Sequence, residues 1–287
     1  MKVIAFYSFF EVKDLNLIKD QINDFFKTRK VKGQILIGFE GLNGTIAVNS
    51  DEEKKVNSFL IQLGVSQENI KISDFDGKRV FKKFKIKIKR EIVTSDFNLS
   101  IKDIEGGKFI NPKDWDNFTK QDDLVIIDTR NDYEYKIGHF KNAINPNIKT
   151  FKEFKKYIEN EKLNFQNKKV AIYCTGGIRC EKAGPLMKKC GIETYQLKGG
   201  ILKYFEETSA PSWDGECFVF DYRVAVNKHL QPGKSEICYG CNMPLTQEER
   251  QSHHYEEGFS CPNCYDQLTK KRKRSLTDKR EYRKGIL

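Results

Sequence analysis

Residues 168–180 restrict the fold more than any other stretch. KKVAIY is a short run of β-branched and aromatic residues with the composition of a buried strand, whereas residues 181–189 carry helical spacing that stops at Cys190 and Gly191. Between them, CTGGIRC sets Cys174 at a strand end and follows it with Gly176 and Gly177, which let the backbone turn without a Cβ penalty. A strand, a tight turn and a helix in that order belong to a parallel sheet. The neighbouring chain keeps the rhythm: LVIID at 124–128, a helix near 151–160, KVAIYC, the helix after Cys180, TYQLKG at 194–199 and a last helix over 201–208. Residues 122–214 are therefore predicted to form a parallel sheet with helices on both faces. Such sheets carry their functional loops at the strand carboxyl ends.

Cys174 is the candidate nucleophile. The amides of Thr175, Gly176, Gly177 and Ile178, with the first turn of the following helix, make a cradle for negative charge, and the anion held there can be the thiolate itself. With Arg179 beside it, the thiol is expected to ionise below the roughly 8.5 of free cysteine. Two other readings compete for this loop: a buried cysteine in a glycine turn, and a cysteine phosphatase. The phosphatase loop is one residue longer between its Cys and Arg, and the shorter ring here suits a sulfur-sized guest better than a phosphate. Cys180 lies six positions after Cys174. A curled loop returns it to Cys174, where it either resolves an oxidised sulfur as a disulfide or packs at the helix start. Asp128 and Arg130, at the end of LVIID, reach the same sheet edge and either support the pocket or fasten the next loop. Cys190 and Cys217 read as small core hydrophobes.

A chain of 287 residues has room for two cores and a small third. Residues 1–93 read as strand, helix, strand, strand, helix, strand, strand, the order of a ferredoxin-like α/β sandwich. VIAFYSFF is the first strand, and residues 14–30 place Leu15, Ile18, Ile22, Phe25 and Phe26 on one helical face. QILIGF and TIAVN are joined by EGLNG, a hairpin turn signal. EGLNGT mimics a phosphate loop, but no Gly-Lys-Ser or Gly-Lys-Thr follows and no helix starts at once, so it reads as a turn, with direct substrate contact as the alternative. In FKIKIKRE, Phe84, Ile86 and Ile88 alternate with Lys85, Lys87 and Lys89, so one face packs and the other presents ammonium groups in a row. Residues 94–121, holding Gly106, Gly107, Pro112 and Trp115, read as a linker with one short helix. Residues 215–287 form a separate cysteine-rich region with a basic tail.

No stretch approaches the roughly 18 apolar residues that span a bilayer. MKVIAFYSFFEVKD lacks a cleavage-site pattern and reads as a strand, so a cytoplasmic location with reduced thiols is expected. Eight cysteines then point to thiol chemistry and metal. Cys238 and Cys241, in CYGC, and Cys261 and Cys264, in CPNC, are separated by nineteen intervening residues and fit two knuckles closing one tetrahedral zinc site. Four thiolates complete that site, so its zinc is structural, and His253 and His254 between the knuckles stay outside it. The net charge of +11 is concentrated. Residues 78–90 hold eight basic residues and no acid, and residues 270–284 hold nine against Asp278 and Glu281. Two basic segments on a mildly acidic body suit a polyanion, nucleic acid before a membrane surface. The candidate contacts are Lys85, Lys87, Lys89 and Arg90 in the first segment. In the second they are Lys271, Arg272, Lys273 and Arg274, on an arm expected to lack order without its partner.

CTGGIRCEKA, with IIDTRNDYEYKIGHFKNAINP at 126–146 and YQLKGGILKY at 195–204, resembles a rhodanese domain. Adding GFEGLNGTIAV at 38–48, KIKREIVT at 87–94 and GECFVFDYRV at 215–224, the chain is similar over nearly its whole length to the bacterial rhodanese-containing tRNA uridine hydroxylase family. The resemblance implies a central rhodanese-like domain and an oxidoreductase that uses molecular oxygen to make 5-hydroxyuridine at the wobble position of tRNA. It also implies that Cys174 and Arg179 are catalytic and that Cys180 belongs to the functional loop. The C-terminal region resembles a zinc ribbon with an RNA-gripping arm. Hydroxylation itself does not follow from the residues. They lack a dinucleotide fingerprint, and His139, His229, His253 and His254 make no iron-binding triad, so no catalytic cofactor is identified. Two alternatives stand beside the hydroxylase: a sulfurtransferase carrying a persulfide on Cys174 to tRNA or protein, and a non-enzymatic RNA-binding redox sensor.

Overall fold

The structure, a computed structural model, describes residues 1–75 and 80–284. Lys78 and Arg79 of the first basic segment lie outside the described residues. The amino-terminal unit runs β1 (Lys2–Phe9), α1 (Leu15–Phe26), β2 (Val31–Gly38), β3 (Gly41–Val48), α2 (Glu53–Gln62), β4 (Ile70–Asp74) and β5 (Phe84–Ile88). The strand order β4-β1-β3-β2-β5, antiparallel except for β5 beside β2, is the ferredoxin-like arrangement with one added edge strand. Asp14 starts α1 by accepting from the amides of Asn16 and Leu17 at 2.9 and 3.0 Å.

Successive strand side chains take opposite faces. Ile4, Phe6, Ile35, Ile37, Leu42 and Ile46 therefore meet Ile22 and Phe26 of α1 and Val56 and Leu60 of α2 in one core. The other face, which neither helix covers, carries Tyr7, Gln34, Leu36, Asn43, Thr45 and Lys71, held in register by the pairs Tyr7 with Asn43, Leu36 with Asn43 and Gln34 with Thr45. On β5, Phe84 and Ile86 pack against the core while Lys85 and Lys87 are exposed, as the alternation predicts; Ile88, expected to pack, is exposed at the end of the strand, as is Lys89 beyond it.

The turn reading of EGLNG is corrected. The chain reverses at Phe39 and Glu40, and Gly41 to Gly44 are residues of β3. The glycines serve close approach instead: Gly41 sits at φ 135°, and a Cβ there would lie 1.9 Å from the Ser8 carbonyl oxygen of β1.

The stretch read as a linker is also more than that. It holds α3 (Ile101–Ile104), β6 (Lys108–Ile110) and α4 (Pro112–Phe118), and β6 is the edge strand of the second sheet. A three-residue strand is too short to show a period. The rest of this sheet comes from β7 (Leu124–Asp128), β9 (Lys169–Tyr173) and β10 (Glu193–Leu197), with α5 (Asp132–Ile137), β8 (Gly138–Phe140), α6 (Phe154–Glu161), α7 (Ile178–Lys189) and α8 (Gly200–Glu207) around it. The order β6-β10-β9-β7 is parallel throughout. Alternation along β9 feeds two cores: Val170 and Ile172 join Phe154, Ile158 and Met187 on one face, and Ala171 and Tyr173 join Trp115, Tyr204 and Phe205 on the other. Helices cover both faces, as predicted. Cys217 is buried in the second core, and Cys190 packs half-buried against the first.

Beyond α8, β11 (Trp213–Gly215) pairs with β8, and β12 (Cys217–Phe218) pairs with β13 (Ala225–Val226). The hairpin of β14 (Glu236–Ile237) and β15 (Pro244–Leu245) carries the first cysteine knuckle at its tip, followed by α9 (Gln247–Gln251). The basic tail, expected to lack order by itself, is a helix, α10 (Lys270–Lys284), seated by buried Leu276. Among the described residues no helix is long and apolar enough to cross a membrane.

Candidate active site

β9 ends at Tyr173 and delivers Cys174 to a turn whose last residue, Gly177, has φ 106°. That left-handed geometry aims the Gly177 amide at Cys174 Sγ, 3.1 Å away. α7 begins at Ile178, earlier than the spacing of residues 181–189 suggests. Arg179 and Cys180 therefore belong to its first turn, where their amides also serve the sulfur. Burial alone pushes the Cys174 thiol up. The Cys180 thiol, the Arg179 charge and the amides of Cys180 and Arg179 outweigh it and hold Cys174 at about 5. Cys180 moves the other way, because it is buried and faces the Cys174 thiolate; its Sγ lies 3.6 Å from Thr129 Oγ1. The two sulfurs thus push one another apart in acidity, Cys174 down and Cys180 up.

Arg179, 6% exposed, makes a two-pronged pair with Glu134, at 2.6 and 2.8 Å. Burial works against the Glu134 carboxylate, but the Arg179 guanidinium more than offsets it and keeps its pKa below the ordinary value. Glu134 also closes the capping box of α5 by accepting from the Asn131 amide at 3.2 Å. Sequence reasoning missed this residue. Its one signal, an Asn three positions before a Glu, announces a helix start and not a partner for Arg179.

Asp128 and Arg130 form a fully buried pair, with Arg130 Nη2 at 2.7 Å from Asp128 Oδ2 and 2.6 Å from the Gly138 carbonyl. Alternation along β7 explains where they go. Ile127 shares the core of Cys174, Ile126 lies in the opposite core, and Asp128 shares the parity of Ile126. Arg130 accordingly packs over Tyr173 and Trp213, at 5.6 and 5.3 Å, and neither residue borders the cavity described next. Of the two readings of this pair, the bond to the Gly138 carbonyl fits a fastening of the loop after β7.

Cys174, Thr175, Gly176, Ile178 and Arg179 of this loop line a cavity of about 490 Å³. Facing the loop is the helix-free side of the amino-terminal sheet, with Tyr7, Gln34, Leu36, Asn43, Thr45 and Lys71 in the wall. Phe220, 64% exposed, completes the rim and lies 6.0 Å from the Arg179 guanidinium. The two units are pinned at the loop itself. Lys71 Nζ donates to the Gly176 carbonyl at 2.9 Å, and Tyr7 Oη donates to Glu181 at 2.6 Å. Buried Lys182 lies 2.9 Å from Glu40 and 3.6 Å from Glu91. Burial lowers the Lys71 pKa to about 8, with the Cys174 thiolate acting in the opposite direction. Nothing in the sequence marks Lys71 or Tyr7, which read locally as strand residues.

Lys89 borders this cavity and continues the row of Lys85 and Lys87, whereas Arg90 pairs with Asp96. On α10, Lys271, Lys273 and Arg274 are exposed. Arg272 is spent on the carbonyls of Gly240 and Tyr239, at 3.1 and 3.3 Å, so it docks the helix on the first knuckle. None of these four borders the Cys174 cavity.

The Sγ atoms of Cys238, Cys241, Cys261 and Cys264 lie within 4.8 Å of one another. The separations Cys238 to Cys264, Cys241 to Cys261 and Cys261 to Cys264 are 3.8, 3.7 and 3.8 Å. A tetrahedron with metal–sulfur bonds of about 2.3 Å has edges of about 3.8 Å. The four thiols therefore fit one metal ion.

Residues 1–92 match the UPF0176 acylphosphatase like domain, and residues 111–207 match the rhodanese-like domain. The tRNA uridine(34) hydroxylase of Acinetobacter baumannii is 43% identical over 274 residues, covering 94% of this chain and 87% of that protein. The protein of the same name from Acinetobacter baylyi is 42% identical over the same shares. Likeness at this level spans both domains and the cysteine-rich region together, and the chain belongs to the tRNA uridine(34) hydroxylase family.

Proposed function

We propose that the protein hydroxylates C5 of the wobble uridine of tRNA with molecular oxygen, and that Cys174 is its covalent catalyst. The observation that carries this reading is a buried cysteine, its Sγ 3.1 Å from the Gly177 amide and its pKa lowered by the groups around it, in the wall of a cavity large enough for one extruded nucleotide. The Cys174 thiolate adds to C6 of the uracil ring, and the C5–C6 π pair moves onto C5 and O4. Oxygen accepts that pair at C5 to give a hydroperoxide. A two-electron thiol reductant cleaves its O–O bond, leaving C5–OH and water, and loss of the C5 proton then expels the thiolate from C6. Arg179 and the loop amides stabilise the thiolate whenever it is the leaving or attacking group. The row of Lys85, Lys87 and Lys89 follows the RNA backbone toward the cavity. The four-cysteine site takes structural zinc, which folds the region that carries α10 and supplies no chemical step.

Nucleoside analysis of tRNA from cells grown under ¹⁸O₂ tests the reading. Wild type is expected to give 5-hydroxyuridine with one labelled oxygen, and Cys174→Ser none. A thiolated base in the wild type assigns sulfur transfer instead, and a nucleoside profile unchanged by Cys174→Ser removes the enzymatic role.

A further inference from the structure

EGLNGT has no part in the chemistry above, yet β3 carries it into the wall opposite Cys174. Asn43 is a residue of that wall. Its Nδ2 donates to the Ile92 carbonyl at 2.8 Å. A carbonyl only accepts, so the amide is fixed with its nitrogen toward Ile92, leaving Oδ1 as an acceptor. The anchor is firm, because the Ile92 amide donates to Glu40 at 2.7 Å and Glu40 pairs with buried Lys182.

Uracil and cytosine differ at N3, which bears a hydrogen in uracil and a lone pair in cytosine. The thiolate adds to C6 from one face of the ring, so the ring edge that carries N3, across from C6, is left to meet a wall residue of the same cavity, and Asn43 is one. We propose that Asn43 is a specificity-determining residue, whose Oδ1 accepts the N3–H of the uracil ring and repels the N3 lone pair of cytosine. This inference rests on the base-hydroxylation reading and names how that site chooses its base.

The test uses full-length Cys174→Ala protein, which binds without proceeding to chemistry, and anticodon stem-loops with uridine, cytidine or 3-deazauridine at the wobble position. 3-Deazauridine keeps the ring shape and replaces N3–H by C–H. Both changes are expected to weaken binding about tenfold, the size of one hydrogen bond to a buried acceptor. Adding Asn43→Ala is expected to bring the three affinities together. Equal affinity for uridine and 3-deazauridine with Asn43 in place overturns the proposal, whether or not the Asn43→Ala protein folds. So does a uridine preference that survives in a folded Asn43→Ala protein. Failure of the hydroxylation reading shows separately, in the cellular nucleoside profile of Cys174→Ser.

Discussion

An ion inside a protein is costly unless its partners are already in place, and Cys174 meets that condition through the loop amides, Arg179 and the Cys180 thiol. Its alkylation by iodoacetamide should follow a thiolate with a midpoint of about 5. The rate is expected to be level near neutrality and to fall as pH drops through that value; a midpoint near the 8.5 of free cysteine would refute the thiolate. The linked stability has the same sign. The folded pKa lies below the unfolded one, so the contribution is full above about 8.5 and is lost as pH falls toward 5. Glu134 supports this arrangement from behind. Glu134→Gln leaves a buried guanidinium without its counter-ion and should cost about 3–5 kcal/mol in urea unfolding; a loss under about 1 kcal/mol would show that Arg179 finds another partner. Cys174 and Arg179 were legible in the sequence because one turn of chain holds both. Glu134 was not, because it reaches Arg179 across 45 residues, from α5 to α7.

The strands β3 and β5 show what periodicity conveys and what it withholds. Alternation predicted the lysine row of β5, and the row is exposed on an edge strand. If it tracks an RNA backbone, changing Lys85, Lys87 and Lys89 together to Ala should reduce the slope of log affinity for tRNA against log salt by about 2–3. An unchanged slope would remove β5 from the interface. In β3 the glycines of EGLNG looked like a turn because glycine permits turns, yet they serve a strand that must pass close to its neighbours. Local composition could not separate these uses. The edge strand β6 escaped for a different reason, since three residues joined to β10 owe their extension to the neighbour.

At the scale of the whole molecule, the Cys174 loop lies between the second sheet, whose core it joins, and the open face of the first. The cysteine-rich region is the most detachable part, for its small core is Leu245 and the four cysteines with Tyr255 and Leu268 packed against them. Stripping the metal with a strong chelator should abolish amide-exchange protection across residues 236–284, including α10, while Cys174 alkylates at its original rate. Loss of the reactive thiolate on chelation would show that the cysteine-rich region supports the active site. The amino acids alone determined the parallel sheet, the thiolate loop and the four-cysteine site, because each is encoded in short-range spacing that acts before distant parts of the chain meet. Only the tertiary structure decided that the open face of the first sheet closes over Cys174, and that Lys71, Tyr7 and Asn43 belong to its cavity. A strand's pattern tells which side chains share a face; what covers that face depends on the docking of residues more than a hundred positions away.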